Sequence, residues 1–168
     1  MTNADGAFRV ELERLLDIHD EKRRADAARI EQVKEDERAF LQRFDQVRRS
    51  IVRPVFEVAV AVLGARGHSA SISEQEFSVQ PDGKATEANI SIRVLPAGVE
   101  PGTPACDSAP ALTVATRHYS KAVEIRGGLI DSQSARAAGA HGEYRLDQIT
   151  AERIGTELLQ LIAELLRR

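Results

Sequence analysis

Cysteine and aromatic residues are scarce in this sequence. Cys106 is the only cysteine among 168 residues, so the chain cannot form an internal disulfide, and we expect it to fold in a reducing compartment, the cytoplasm. There is no tryptophan, and there are only two tyrosines. A surface that stacks the bases of single-stranded nucleic acid needs several aromatic side chains, so this class of function is not expected.

Long apolar runs and an excess of one charge are also missing. The longest apolar stretch, residues 58–63, is far shorter than the roughly eighteen residues of a transmembrane helix. Lysine and arginine total 23 against 26 acidic residues, a net charge of −3 that predicts neither a nucleic acid nor a membrane as partner. Arginine supplies 19 of the 23 basic residues, a bias typical of GC-rich bacterial genomes.

The residue types that carry chemistry are scattered along the chain. The four histidines are His19, His68, His118 and His141, and none stands at metal-ligand spacing from another histidine or from Cys106. The glycines at 127–128 and 139–142 lack the spacing of a phosphate-binding loop. We therefore expect no enzyme activity, no catalytic residue, no cofactor and no metal ion. One exception is open, a pairing of His118 with Glu124 across neighbouring predicted strands.

The first third of the chain predicts a long helix. Residues 7–53 contain no glycine and no proline. One heptad frame places eight apolar residues at spacings of three and four, the seam of a coiled coil: Leu12, Leu16, Ile30, Val33, Phe40, Phe44, Val47 and Ile51. Residues 1–50 are therefore interpreted as a helical arm, and these eight residues as the interface of a homodimer.

The middle of this seam is polar. The same frame places His19, Arg23, Asp26 and Glu37 at seam positions, which weakens association but restricts register. Three arrangements remain open at this point. Two arms pair in parallel, two arms pair antiparallel, or the chain bends between residues 20 and 29 and forms an intramolecular hairpin.

Residues 51–168 predict a globular α+β head. Apolar residues surround most of the helix from Ile51 to Leu63, which is typical of a buried helix, and Pro54 predicts a kink or a new helix start near Arg53. Strands are predicted at 72–79, 88–95, 112–118 and 122–130, with a short edge strand at 143–146. The sequence Pro81-Asp82-Gly83-Lys84 predicts a turn that joins the first two strands as a hairpin.

A C-terminal helix follows these strands, capped by Thr150 and carrying an apolar stripe from Ile154 to Leu165. The predicted fold is α+β: a long N-terminal helix, then a four- to five-stranded antiparallel sheet covered on one face by the end of that helix and by the C-terminal helix. The Pro-rich segment 96–110 and the Gly/Ala-rich segment 131–142 are interpreted as surface loops.

The pattern favours a non-enzymatic homodimeric interaction or scaffold protein that dimerises through its helical arm and contacts an unidentified protein partner. A second hypothesis is a nucleic-acid-binding accessory protein, whose contacts would be Arg48, Arg49 and Arg53 at the junction of arm and head. A third is an enzyme whose site assembles from loops around Cys106 and Gly139.

Overall fold

The computed structural model describes residues 3–100, 102–104, 109–128 and 140–167, and their side chains except at 3, 4, 140 and 141. The fold is the predicted α+β arrangement of a long N-terminal helix, a five-stranded antiparallel sheet and a C-terminal helix. The chain divides into two compact units, Met1–Ala39 and Phe40–Arg168, which we call the N-terminal unit and the α+β unit. The predicted boundary at residue 50 thus falls inside the α+β unit.

The helical segments are α1 (Asn3–Val47), a π-helical segment (Arg48–Val52), α2 (Arg53–Ala65), a short 3-10 helix (Leu146–Gln148) and α3 (Ala151–Leu166). None of these described helices is both long enough and apolar enough to cross a membrane. α1 continues without a break through residues 20–29, so the chain does not bend there into a helical hairpin. Its exposed surface carries ion pairs one turn apart, such as Arg9 with Glu13 (2.9 Å) and Arg14 with Glu11 (2.6 Å).

The π-helical segment lies just before a proline. Pro54 has no N–H to donate to the carbonyl of Ser50, and its ring would collide with that oxygen in a regular α-helix. One extra residue per turn relieves this conflict, which explains the wider helix at Arg48–Val52. α2 then begins at Arg53 with the proline in its first turn, as the sequence predicts.

The described residues contain seven strands, which form two sheets. Their bounds are β1 (Ser69–Gln75), β2 (Ser78–Val79), β3 (Ala85–Thr86), β4 (Asn89–Leu95), β5 (Ala111–Arg117), β6 (Ala122–Gly128) and β7 (Ala140–Tyr144). The main sheet has the order β1-β4-β5-β6-β7, with every neighbouring pair antiparallel, and β2 with β3 forms a separate hairpin. The predicted edge strand at 143–146 is found at 140–144, and the end of the predicted strand at 129–130 lies outside the described residues.

The first predicted hairpin is interrupted. β1 pairs with β4 so that Ile72 lies opposite Ile92, but the pairing stops at Gln75, and the chain then forms the small β2–β3 hairpin before it returns. The predicted turn lies at the tip of this hairpin, where Gly83 has a φ of +83°. A positive φ is readily adopted only by glycine, so this position defines the turn.

The hydrophobic core lies between one face of the main sheet and the helices. Alternate residues of the central strands point to this face, including Ile92, Leu112 and Ile125. Phe56 of α2 and Ile154 of α3 cover them, and all five side chains are fully buried. The helical layer is therefore fixed to the sheet by core side chains of both helices.

Thr150 caps α3 as the sequence predicts. Its hydroxyl accepts a hydrogen bond from the Arg153 N–H (3.2 Å), which satisfies one of the free N–H groups of the first turn. Thr150→Ala is expected to lower the free energy of unfolding by about 1 kcal/mol, whereas Thr150→Ser keeps the oxygen and changes it by only a few tenths of that. Urea denaturation of the two variants checks this, and equal midpoints for both would show that the cap contributes nothing.

Candidate interaction surfaces

The N-terminal unit presents unburied apolar side chains on its predicted seam. Leu12, Leu16, Ile30 and Val33 are 44–57% exposed. They repeat at heptad positions of one uninterrupted helix, so they lie along one face of it. Four further apolar side chains of this unit are also exposed: Phe8, Val10, Leu15 and Ile18. Apolar side chains repeated along one helix face mark a surface for another helix.

The other half of the predicted seam lies in the core of the α+β unit. Phe40 and Phe44 are only 4% and 1% exposed, and both belong to the core cluster with Val52 and Phe56. Val47 is partly buried against the same cluster, and Ile51 is half-buried. The side chains of Phe40 and Phe44 are therefore used within the chain and are not open to a second copy. This corrects their assignment to the dimer interface.

Arg48 is the most deeply buried charged residue among those described, with 1% of its surface exposed. Its guanidinium donates to Asp45 (2.5 Å) and Glu76 (2.6 Å), and at longer range to the carbonyls of Gln75 and Asn89 (3.3 and 3.4 Å). Burial lowers the pKa of Arg48, but the hydrogen bonds to the two carboxylates outweigh burial and leave the pKa above its ordinary value. The charge is therefore permanent, and it joins the π-helical segment to the end of β1 and the start of β4.

The other two arginines proposed for nucleic-acid contact are also paired. Arg49 is exposed but lies 3.1 Å from a carboxylate oxygen of Asp45. Arg53 reaches Glu74 of β1 at 2.7 Å, and this hydrogen bond is the main reason why the pKa of Arg53 is raised. Arg48 and Arg53 thus form ion pairs that link the helix to the end of β1, whereas the Arg49 pair lies within the helix. Contact of these arginines with a nucleic acid stays a prediction.

An apolar groove lies on the outer surface of the helical layer, between α2 and α3. It encloses about 410 Å³, and its lining includes Val55, Ala59, Gly155, Leu158 and Ile162. Four side chains stand along it with 59–69% of their surface exposed: Val58, Val62, Leu159 and Leu166. Exposed apolar side chains gathered in one patch are uncommon on proteins that stay monomeric, so this groove is a candidate interaction surface.

The sequence contains a signal for this groove. Among the groove-lining residues, Val55, Ala59 and Val62 recur on α2 at spacings of four and three, and Leu159, Ile162 and Leu166 recur on α3 at spacings of three and four. These stripes lie beside the stripes that enter the core, which contain Phe56 on α2 and Ile154 and Leu158 on α3. An apolar face wider than one buried stripe indicates that a helix has a second contact.

Two charged side chains lie at opposite ends of the helical layer. β1 and β7 run in the same direction because each neighbouring pair of strands is antiparallel. α2 ends just before β1 starts and α3 starts just after β7 ends, so Arg66 and Glu152 lie at opposite ends of the helical layer. Both are exposed, and neither forms an ion pair with any other residue that the structure describes.

His118 is paired with Glu87 and not with Glu124. Its Nδ1 lies 2.6 Å from Oε1 of Glu87, and Oε2 of the same carboxylate accepts from the Thr116 hydroxyl (2.7 Å). The His118 ring packs on Phe77 at 4.9 Å between centroids. This cluster connects the segment between β1 and β2 to the end of β5. A carboxylate that orients an imidazole is half of a catalytic arrangement, and the described contacts supply no nucleophile beside it.

Glu124 belongs instead to an ion-pair cluster on the sheet face away from the helices. It is nearly buried, and it lies 2.9 Å from Arg117 and 3.2 Å from Arg126. Arg117 also reaches Glu143 of β7 (3.0 Å). The hydrogen bonds to Glu124 and then to Tyr119 raise the pKa of Arg117 above its ordinary value. The cluster holds three neighbouring strands together.

Cys106 and Gly139, the predicted centre of an enzyme site, lie outside the described residues, as does segment 131–139. Among the residues that are described, no three histidine, cysteine or acidic side chains are close enough to bind one metal ion. No protein-family model, curated protein or solved structure matches this chain.

Proposed function

We propose that this chain is a non-enzymatic interaction protein of the cytoplasm that forms a homodimer through its N-terminal unit. The observation that carries the proposal is the exposed seam of Leu12, Leu16, Ile30 and Val33 on an uninterrupted helix. Burying each of these half-exposed side chains against a second copy is worth about 1 kcal/mol. The seam is confined to the N-terminal unit, because its continuation from Phe40 is occupied by the chain's own core.

The polar residues inside the seam give the pairing its specificity. His19, Arg23 and Asp26 separate the apolar pair Leu12 and Leu16 from the pair Ile30 and Val33. A wrong register would bury these polar groups against apolar side chains, which is costly, so few registers are compatible with the sequence. We expect a weak but register-specific dimer, typical of a protein that presents other surfaces to a partner.

Disulfide trapping in the full-length chain tests the seam directly. In a Cys106→Ser background, Leu16→Cys is expected to form an inter-chain disulfide under mild oxidation if the helices pair in parallel. Val10→Cys is the matched control, since Val10 is equally apolar and exposed but lies off the heptad frame. Antiparallel pairing instead gives a disulfide when two different seam variants are mixed, for example Leu16→Cys with Val33→Cys.

The outcome is read on a non-reducing gel. Cross-linking of seam positions with little cross-linking of Val10→Cys supports the dimer and also gives its direction. Equal cross-linking at all positions indicates random collision, and together with a monomeric mass in light scattering it would contradict the proposed pairing.

A further inference from the structure

We propose that the N-terminal units of the two copies pair antiparallel, in the register that places Arg23 of each copy opposite Asp26 of the other. This inference rests on the homodimer proposed above, and it specifies the direction and the register of that contact. The paired segment is residues 12–37, which lies wholly within the N-terminal unit.

Two opposite charges occupy the centre of the seam. Arg23 and Asp26 stand at consecutive seam positions of the unbroken helix α1, between the apolar residues at 12 and 16 and those at 30 and 33. Arg23 is exposed and forms no ion pair with any other residue in the described part of the chain. The Asp26 carboxylate has a long contact with Arg29, at 3.9 Å, and half of its side chain is exposed. Both charges are therefore open to a second copy.

A parallel arrangement brings like charges together. In a parallel pair without stagger, each seam residue faces the same residue of the second copy. Arg23, Asp26 and Glu37 would then each face their own kind, and three layers of like charge oppose association. A parallel pair shifted by one heptad places Arg23 opposite Ile30 and Asp26 opposite Val33. That arrangement buries a charge against an aliphatic side chain, which is also costly.

An antiparallel arrangement brings opposite charges together. The second helix is reversed, so Arg23 of each copy faces Asp26 of the other, and the seam then forms four kinds of contact, each present twice: Arg23 with Asp26, Leu16 with Val33, His19 with Ile30, and Leu12 with Glu37. No like charges meet in the seam, and the contact between Leu16 and Val33 is entirely apolar. Because the same surface of both copies is used, the contact requires no further partner.

The charges also select one antiparallel register. Shifting the second copy by one heptad in one direction places Leu16 opposite Asp26. Shifting it by one heptad in the other direction places Arg23 opposite Val33 and Asp26 opposite Ile30. Each shift buries a charge against an aliphatic side chain, whereas the proposed register neutralises both charges.

The positions that flank the seam are nearly balanced in charge. In the proposed register Glu13 of one copy lies beside Lys34 of the other, which is favourable, and Lys22 lies beside Arg29, which is unfavourable. Exposed pairs of this kind contribute little to association. The direction of pairing is therefore determined by the residues of the seam itself.

Disulfide trapping in the full-length Cys106→Ser chain tests direction and register together. One of two mixed variants carries an affinity tag, so that the mixed disulfide dimer has its own mobility on a non-reducing gel. Leu16→Cys mixed with Val33→Cys is expected to give this dimer. The matched control mixes Leu12→Cys with Ile30→Cys, two seam residues that are similarly exposed but face each other only after a shift of one heptad.

The outcomes separate this inference from the homodimer on which it rests. A disulfide between two copies of Leu16→Cys, or between Leu12→Cys and Ile30→Cys, in place of the expected mixed dimer would overturn the antiparallel register and leave the homodimer standing. Absence of all these disulfides, together with a monomeric mass in light scattering, would overturn the homodimer as well.

An exchange of the two charges tests the ion pair. Arg23→Asp and Asp26→Arg are each expected to raise the Kd of the dimer by about tenfold, because like charges then meet at two symmetric sites. The double variant restores opposite charges and should recover most of the loss. A parallel pair has like charges at both layers before and after either change, so it would respond little.

Analytical ultracentrifugation measures Kd, and circular dichroism verifies that each variant keeps its helix content. The matched controls are Arg24→Asp and Glu21→Arg, which change exposed positions of the same helix outside the seam and should leave Kd unchanged. Single seam variants with the Kd of the wild type, or a double variant weaker than both, would overturn the proposed register.

Discussion

Replacing Phe44 with alanine is expected to destabilise the α+β unit by about 3–5 kcal/mol, the usual cost of removing a buried phenylalanine ring. The side chain is 1% exposed and belongs to the cluster formed by the end of α1, α2, the central strands and α3. Domains of this size have a net stability of about 5–15 kcal/mol, so this single change removes a large fraction of it.

Urea denaturation followed by circular dichroism measures the loss. Phe8→Ala is the matched control, because Phe8 is on the same helix but 69% exposed, and its replacement should leave the unfolding midpoint unchanged. Oligomeric mass is measured on the same samples. An unchanged midpoint for Phe44→Ala, accompanied by dissociation of a dimer, would show that Phe44 contacts a second copy and not the core.

Arg48→Met is expected to cost about 2–3 kcal/mol, somewhat less than the 3–5 kcal/mol for breaking a fully buried ion pair. Methionine fills most of the volume but leaves Asp45, Glu76 and two backbone carbonyls without their donor. The expected cost in unfolding free energy is lower than for a fully buried pair because the side chains of Asp45 and Glu76 are 33% and 74% exposed, so water can hydrate them. Arg49→Met is the control, since Arg49 is 71% exposed and contacts only the same Asp45, and it should cost well under 1 kcal/mol.

The pH dependence of this cost has a definite sign. A group whose pKa is raised in the folded state stabilises it fully below the unfolded pKa, and the stabilisation is lost as the pH rises through the folded pKa. Both values of Arg48 lie in the strongly alkaline range. The difference in unfolding free energy between wild type and Arg48→Met is therefore expected to stay constant from neutral to moderately alkaline pH. A difference that shrinks over this interval would show that another group is responsible.

Residues 40–51 show what hydrophobic spacing can and cannot predict. The three-four spacing of Phe40, Phe44 and Val47 correctly indicates a helix with one apolar face. It does not say whether that face meets another chain or the sheet of its own chain, because both partners accept the same spacing. The answer depends on tertiary contacts with β-strands that come much later in the sequence.

The groove cannot be predicted from the sequence for a related reason. In the sequence, apolar residues around most of α2 are typical of burial on all sides, and the apolar residues of α3 predict a single stripe that covers the sheet. In the structure Leu158 enters the core, whereas Leu159 is 69% exposed. Both leucines are equally hydrophobic. Only the direction in which each side chain leaves the helix axis determines that Leu158 lies in the core and Leu159 on the surface.

The partner of His118 shows a third limit of prediction from the sequence. Glu124 lies nearby in sequence and on the neighbouring strand, so the sequence predicts it as the partner. Its side chain points to the sheet face away from the helices, where Arg117 binds it, whereas Glu87 approaches His118 from the segment before β4. Strand periodicity predicts which residues share a face, but contacts made by irregular segments between strands are not encoded in any short pattern.

The order of elements along the chain has a consequence for how the protein is synthesised. The helical layer consists of the end of α1, the whole of α2, and α3. The first two leave the ribosome early, whereas α3 leaves after the described strands. Ile154, Leu158 and Leu161 cover part of the sheet beside β5 and β6, so that part stays uncovered until they emerge. The nascent chain is therefore most exposed to aggregation, and most in need of chaperones, in the interval between translation of β6 and translation of α3.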